Sequence, residues 1–294
     1  MNPAEQLSAP QWRARAAAHA DRVHALTAGH TGRRDQGRTH PVEDFLFVYY
    51  RHSPARLRRW HPGPGVRLAP DPGMPHAGWT HYAGAPDGTV GLDVGSFLAA
   101  RGESVAFVRE LLTATLDRPA RLGCFGLHEW AMVYRASAEE VRHQGWPLRL
   151  GPAGTDDVVE THEIRCSHFD AYRFFTPAAT PRNRLHPTRE LQAALEQPGC
   201  LHAGMDLYKW AFKLAPAIPS ELTVDAFEHA LAARALDMEA SPYDLADLGV
   251  APLRIETAEG KAAYVQRQRE LADASNVLRQ RLLAVLDGLL ASTP

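Results

Sequence analysis

The C-terminal segment from residue 257 to residue 291 is the part of the sequence that most constrains the fold. Apolar residues recur along it every seven positions or beside those positions, at Tyr264, Leu271, Leu278, Leu282, Val285 and Leu289. This spacing places the apolar side chains on one face of a helix, so we predict one long C-terminal helix. Two interpretations of the apolar row are open: it packs into the core of its own chain, or it forms a homodimer contact.

Much of the remaining sequence also has helical patterning. Amphipathic spacing and helix-start residues predict helices at 8–28, 95–117, 188–196, 201–214 and 223–238. Shorter helices are predicted from Phe45 and from Leu127. Ser167, with Asp170 three positions later, has the spacing of a capping box and predicts the start of another short helix.

The β component is predicted to be small. Residues 61–91 are rich in glycine and proline, and we predict an irregular segment there with a hairpin of 79–82 and 89–93 joined at Asp87-Gly88. Residues 156–166 contain alternating β-branched residues and are predicted to form a strand. Residues 30–40 are polar and are predicted to form a loop. The expected fold is mainly α with a small β component, an α+β single domain over residues 1–294 with a basic N-terminal helical arm at about 1–60.

Composition restricts the class of protein. A chain of 294 residues buries a core without disulfides, and its three cysteines fit reduced thiols better than a disulfide framework. No apolar run reaches the ~20 residues of a membrane span. The N-terminus is polar and lacks the apolar region of a secretory signal. We therefore expect a cytoplasmic protein with no membrane partner.

Positive charge is concentrated in the first 60 residues. They contain ten arginines and five acids, although the whole chain has a net charge of -2. Arginines beside an aromatic residue can hold phosphates, so the group before Trp60 is a candidate nucleic-acid contact: Arg51, Arg56, Arg58 and Arg59. The alternative is an ordinary solvated surface balanced by acids elsewhere in the chain.

Three segments, 123–134, 160–175 and 200–213, are dense in reactive side chains. In the third, helical spacing places a row of polar residues on one face, at His202, Asp206, Lys209 and Lys213. That face is either a solvated surface or part of a site.

A metal centre is one candidate use of these segments. Each cysteine has a histidine nearby, and thiolate and imidazole are natural zinc ligands, but no CxxC pair is present. His168 and Asp170, with a distant histidine (His202 or His186), would suit a two-histidine, one-carboxylate iron site. The sequence lacks HExxH, GxSxG, P-loop and dinucleotide-binding motifs. Zn or Fe is therefore the alternative to an enzyme without a cofactor.

Six blocks spread over about residues 10–270 carry a family resemblance. They are HPVEDFLF, CFGLHEWAMVYR, IRCSHFDAYRFFTP, CLHAGMDLYKWAFKL, LDMEASPYDL and IETAEGKAAYV. They resemble an actinobacterial family whose members commonly carry the label 3-methyladenine DNA glycosylase. The resemblance implies a DNA-repair hydrolase that releases alkylated purine bases, with DNA as its partner and no cofactor.

Base release of this kind needs a carboxylate that orients water and stabilises the sugar cation. The candidates are Asp206, Glu129 and Asp170. The candidate substrate-binding residues are His128, Trp130, Tyr134, His162, His168, Tyr172, Arg173, His202, Tyr208 and Lys209. A lyase step is disfavoured because Asp206 is expected to raise the pKa of Lys209. The alternatives are a metal-dependent enzyme acting on a small molecule and a non-catalytic partner-binding protein.

Overall fold

A computed structural model of the chain describes residues 5–137 and 146–292. Its helices are α1 (Ala9–Asp35), α2 (Phe45–Tyr50), α3 (Pro54–Leu57), α4 (Val94–Leu116), α5 (Leu127–Ala131), α6 (Gly151–Thr161), α7 (Phe169–Tyr172), α8 (Gln192–Leu195), α9 (Leu201–Lys213), α10 (Ser220–Glu239) and α11 (Ala258–Ala291). Its strands are β1 (Glu5–Leu7), β2 (Val66–Leu68), β3 (Tyr82–Gly84) and β4 (Val90–Leu92). The described residues are thus mainly α-helical with a small β component, which confirms the predicted fold class.

Helix α9 lies at the centre of the fold. It packs against α10 and α11, and eleven of its thirteen residues are buried. A Cβ atom on Gly204 would lie only 3.0 Å from Nε2 of His229 on α10, so the two helices approach closely at this glycine. Polar side chains on α9 are therefore enclosed by neighbouring helices.

The apolar row of α11 belongs to the core of its own chain. Tyr264, Leu278, Leu282 and Leu289 are buried, and α11 packs against α4, α9 and α10. These side chains are consequently not exposed to a second copy of the chain, and the predicted dimer contact is not supported. Across the described residues no helix, α11 included, combines the length and apolar character needed to cross a bilayer.

Helix α1 extends further than the sequence predicts. It begins with a capping box between Ser8 and Gln11 and continues to Asp35, through residues that were expected to form a loop. Near its end, Arg33 Nη2 lies 2.6 Å from Asp44 Oδ1. This buried carboxylate anchors the last turns of the helix.

The basic N-terminal helix packs against the body of the molecule. Arg22 lies 2.8 Å from Asp225 and 2.7 Å from Glu228, and Arg15 lies 3.2 Å from Glu221. All three acids are on α10. Part of the local positive charge is therefore neutralised within the chain, and α1 does not extend away from it.

The sheet has the order β1-β2-β4-β3, with β1 parallel to β2 and the other pairs antiparallel. The predicted hairpin is present as β3 and β4, but its first strand covers 82–84 and not the predicted 79–82. Gly88 at its turn has φ +79°, which glycine adopts without strain, and Asp87 accepts the Thr89 backbone N–H at 3.0 Å.

Three local predictions were wrong. Residues 156–161, predicted to begin a strand, belong to helix α6, whose buried residues Thr155, Val158 and Val159 follow helical spacing. After the helix, Ile164 forms an isolated β-bridge with Asn183. Helix α7 begins after His168, without a side-chain cap from Ser167. Helix α8 covers less than half of the predicted 188–196.

Candidate functional site

The polar face of α9 is buried. His202, Asp206 and Lys209 are 8%, 1% and 7% exposed, whereas Lys213 at the helix end is exposed. The solvated-surface interpretation is therefore wrong for the first three. Buried ionisable groups need partners, and these come from five other segments of the chain.

The first group around α9 is the His168 cluster, formed by His168, Glu196 and Asp206. Nε2 of His168 lies 3.4 Å from a carboxylate oxygen of Glu196 and 3.4 Å from one of Asp206. All three side chains are at most 3% exposed. Neither ring nitrogen of His168 makes a hydrogen bond.

Neighbouring side chains fix the two carboxylates of the His168 cluster. The Tyr50 hydroxyl donates to Asp206 Oδ1 at 2.7 Å, and the Gln192 amide donates to Glu196 Oε1 at 2.6 Å. Lys209 forms an ion pair with Asp206 and lies 3.4 Å from Asp170. The cluster is thus held from α2, α8 and α9 together.

The His168 cluster attracts positive charge. Burial opposes ionisation of Asp206, but Lys209 and His168 outweigh burial and hold the pKa of Asp206 well below its usual range. Burial likewise opposes protonation of His168, but Asp206 and Glu196 raise the pKa of His168. Asp206 also outweighs burial at Lys209 and raises the pKa of Lys209, as predicted, which disfavours the amine as a nucleophile.

The second group is the His128 cluster, formed by His128, His202 and Asp237. Nε2 of His128 lies 2.8 Å from Asp237, and Arg234 donates to both Asp237 at 2.9 Å and Glu129 at 3.0 Å. Burial opposes a charge on His128, but Asp237 outweighs it and raises the pKa of His128 well above its usual value. Burial and the neighbouring His128 lower the pKa of His202, so His202 is neutral.

The two clusters are adjacent. The ring centroid of His202 lies 4.5 Å from that of His128 and 5.3 Å from that of His168. Within each cluster, the three ligand atoms lie within 4.8 Å of one another, which is close enough for a shared metal ion. The two groups therefore form one continuous buried polar centre across α5, α7, α9 and α10.

The centre approaches solvent at Asp170 and Arg173. These side chains are 24% and 45% exposed and pair at 3.1 Å. Asp170 lines a cavity of about 10 Å³ together with Tyr49, Phe174 and His202. It is about large enough for one water molecule.

Comparison of the chain with protein-family models, with curated proteins and with solved structures finds no match in any of the three. The chemistry of the buried centre is accordingly inferred from its own side chains.

The structure brings together eight of the predicted site residues: His128, Glu129, His168, Asp170, Arg173, His202, Asp206 and Lys209. The predicted metal set of His168, Asp170 and His202 is not one of the two clusters, because Asp170 pairs with Arg173 and Lys209 instead. Sequence reasoning missed Tyr50, Glu196, Arg234 and Asp237. Arg234 and Asp237 lie inside or near a block that carried the family resemblance, which was the one available signal.

The other predicted substrate-binding residues lie outside the centre. Trp130, Tyr134 and Tyr208 are at most 1% exposed, so their ring faces are not available to a base. The Trp130 indole donates to the Ala240 carbonyl, and the Tyr134 hydroxyl donates to Glu160. His162 binds the Val158 carbonyl and Tyr172 contacts His186, so Trp130, Tyr134, His162 and Tyr172 have structural partners elsewhere, whereas Tyr208 is enclosed in the core and its hydroxyl has no hydrogen-bond partner.

The four predicted arginines lie at the surface, and two of them, Arg56 and Arg59, line a separate cleft of about 470 Å³. We call it the arginine cleft; its lining includes Arg56, Arg59, His61, Trp79 and Phe212. The Arg59 guanidinium lies 5.7 Å from the Trp79 ring, and that of Arg56 lies 5.3 Å from Phe212. No Asp or Glu is among the described lining residues.

Arg58 and Arg59 both line a neighbouring cavity of about 380 Å³. Arg51 is exposed at the end of α2, with φ 53°, and lines neither of these two cavities. The four arginines therefore do not form one continuous surface.

Proposed function

We propose that the protein is a metal-dependent enzyme acting on a small molecule, and that His168, Glu196 and Asp206 bind its cation. The observation that supports this proposal is the equal 3.4 Å spacing of His168 Nε2 from both carboxylate oxygens, without a hydrogen bond to either. Ligand atoms about 2.1 Å from one ion at tetrahedral angles lie roughly 3.4 Å apart. One imidazole and two carboxylates suit Zn²⁺ or Fe²⁺.

The surrounding side chains support a catalytic cation. Tyr50 and Gln192 orient the two carboxylates, as outer partners do in metal sites. Three protein ligands leave a position for water, and a cation makes bound water a nucleophile near neutral pH. Lys209 pairs with the same Asp206 oxygen that faces His168, so a cation bound there would displace the ammonium group, which would then stabilise negative charge that develops on a substrate. Hydrolysis is therefore the reaction class that this arrangement fits best.

Metal content tests the proposal. We expect protein purified without chelator to contain Zn or Fe by plasma mass spectrometry. Glu196→Gln removes one ligand charge at nearly constant volume and should lose about one metal equivalent per chain. Glu163→Gln, at an exposed carboxylate, is the matched control and should retain the wild-type content. If Glu196→Gln keeps the full wild-type metal content, the proposal is wrong.

The arginine cleft favours a second candidate function, release of alkylated bases from DNA. Its arginines and aromatic rings offer phosphate contacts and a stacking surface. The candidate carboxylates Asp206 and Glu129 do not line it, so neither is placed to activate water beside a base bound in the cleft. This function therefore has less support than the metal-dependent one.

Methylated duplex DNA tests the second candidate. Released 3-methyladenine would be measured by chromatography, and binding by fluorescence anisotropy at several salt concentrations. Arg56→Ala with Arg59→Ala should weaken binding and reduce its salt dependence, whereas Arg34→Ala, at an exposed arginine outside the cleft, should not. Wild-type protein that neither binds DNA nor releases a base would exclude this function.

A further inference from the structure

The three cysteines of the chain line one small cavity. Cys124, Cys166 and Cys200 are separated by tens of residues in the sequence, yet all three surround a space of about 10 Å³. Cys124 lies three positions before the first residue of α5, and Cys166 three positions before that of α7. Cys200 directly precedes α9. His128 and His202 of the buried centre lie on α5 and α9, and His168 directly precedes α7.

His128 lines the same cavity and has the orientation of a metal ligand. Its Nδ1 lies 3.7 Å from Cys124 Sγ. A sulfur and a nitrogen bound to one tetrahedral zinc ion are about 3.6 Å apart. The other ring nitrogen of His128, Nε2, is hydrogen-bonded to Asp237, and Arg234 holds Asp237 in place. Histidine ligands of metals typically donate their second ring N–H to a carboxylate in this way.

A buried polar atom in the cavity wall lacks a partner. Gln268 is fully buried, and its Nε2 donates to the Gly199 carbonyl at 2.6 Å. Its Oε1 has no hydrogen-bond partner. Gln268 lines the same cavity as the three thiols and offers it an acceptor for a hydrogen-bond donor such as water.

We propose that Cys124, Cys166, Cys200 and His128 bind one thiophilic metal ion, for which Zn²⁺ is the best match. Three thiolates and one imidazole fill a tetrahedral zinc sphere completely, which is typical of structural sites. Among the described residues, no cysteine-containing set of three ligand atoms lies within 4.8 Å, so binding of one ion would require the thiols to rotate inward about Cα–Cβ. The ion would join the starts of α5, α7 and α9.

This site is distinct from the His168 cluster in its ligands and in its role. It shares no ligand with His168, Glu196 and Asp206, and the His202 ring lies between His128 and His168. A structural ion here would fix the three helices that position the catalytic cation of the proposed function. Either site can exist without the other.

Cobalt substitution tests the thiolate site. We expect reduced wild-type protein, loaded with Co²⁺, to show the intense near-ultraviolet sulfur-to-cobalt charge-transfer band and the strong visible bands of a tetrahedral ion. Cys200→Ser should weaken or abolish the charge-transfer band. Glu196→Gln is the matched control: it should retain the band while losing about one cobalt equivalent from the other site.

The wild-type protein alone can overturn the proposal. A Co²⁺ spectrum without a sulfur-to-cobalt band, in protein whose three thiols titrate as reduced after denaturation, would show that the cysteines bind no metal. X-ray absorption of the zinc-loaded wild type gives a second measurement that needs no variant. A sulfur shell at about 2.3 Å is expected, with three sulfur neighbours per zinc if only the thiolate site is loaded and about half that number if the His168 cluster also binds zinc; a shell of only nitrogen and oxygen would contradict the site.

Discussion

Asp44 is a single residue on which the pH dependence of the fold can be tested. Its buried carboxylate accepts the His40 backbone N–H at 2.7 Å, and lies 2.6 Å from Arg33 and 3.0 Å from His30. Burial would raise the pKa of Asp44, but Arg33 and His30 outweigh it and lower that pKa. The stabilisation is therefore present above the unfolded value of about 3.9 and is lost as the pH falls through the lowered folded value.

Asp44→Asn should lower the free energy of unfolding by about 2 kcal/mol at pH 7, because Arg33 and His30 lose a buried charged acceptor. The difference from wild type should begin to shrink below about pH 4, where Asp44 of the unfolded wild-type chain becomes protonated, and should disappear as the pH falls through the lowered folded pKa. Urea unfolding at pH 7, 5 and 3 measures both effects. Asp35→Asn, at an exposed residue near the end of α1, is the control. Equal stability of Asp44→Asn and wild type at pH 7 would refute the prediction.

Individual site residues could be predicted only where local spacing carries the information. Helical periodicity places His202, Asp206 and Lys209 on one face, and the structure confirms this. The partner of His128 is Asp237, 109 residues away, and no local pattern specifies that contact. Glu196 likewise reaches His168 only because the chain turns back between α7 and α9.

The start of α11 shows how one element depends on a close backbone approach. A Cβ atom at Gly260 would lie 1.9 Å from the Arg254 carbonyl oxygen, which is backbone and cannot rotate away. At Gly288, in the same helix, an added Cβ meets nothing within 4 Å. Alanine is favoured over glycine by about 1 kcal/mol in a helix interior, so the same substitution should have opposite effects at the two positions.

Gly260→Ala should lower the free energy of unfolding by about 1–3 kcal/mol, because the new methyl group forces the backbone apart. Gly288→Ala should raise it by up to about 1 kcal/mol. Chemical denaturation of both variants measures the difference. If both substitutions stabilise the protein, the close contact at Gly260 does not exist.

Whole elements were predictable where one periodicity dominated. The long C-terminal helix and the 82–92 hairpin follow from heptad spacing and from an Asp-Gly turn. Helix α6 was mistaken for a strand because Val158, Val159 and Thr161 are β-branched, and tertiary packing outweighs that preference. Helix α1 passes through its predicted loop because Asp44, from a later segment, anchors Arg33.

At the scale of the whole molecule, the balance of helix and sheet could be predicted, whereas the convergence of distant segments could not. The buried centre is assembled from α2, α5, α7, α8, α9 and α10, and its chemistry exists only after the chain has folded. The same folding buries several histidines away from carboxylates. Burial lowers the pKa of His52 and of His229 to about 4, and that of His61 to about 3.

These histidines should make the fold less stable in mild acid. A histidine whose folded pKa lies below its unfolded value of about 6.5 favours the native state above pH 6.5. As the pH falls from 6.5 to 4, the unfolded chain gains a proton that the folded chain does not, so stability is lost. His128 and His168, whose pKa values are raised, act in the opposite direction, so a single-site variant is needed to isolate the effect.

His52→Phe isolates one of these contributions. The His52 ring stacks on Phe212 at 3.8 Å and its Nδ1 has no hydrogen-bond partner, so phenylalanine can keep the stacking and cannot take up a proton. Burial, with Lys213 and Arg56, opposes the charge on His52, and a pKa difference of this size is worth about 1–3 kcal/mol. Between pH 7 and pH 4.5, the free energy of unfolding should therefore fall by about 1–3 kcal/mol less in His52→Phe than in wild type. His24→Phe, at an exposed position on α1, is the control and should show the same fall as wild type. Parallel stability curves for His52→Phe and wild type would mean that His52 is protonated equally in the folded and unfolded chain.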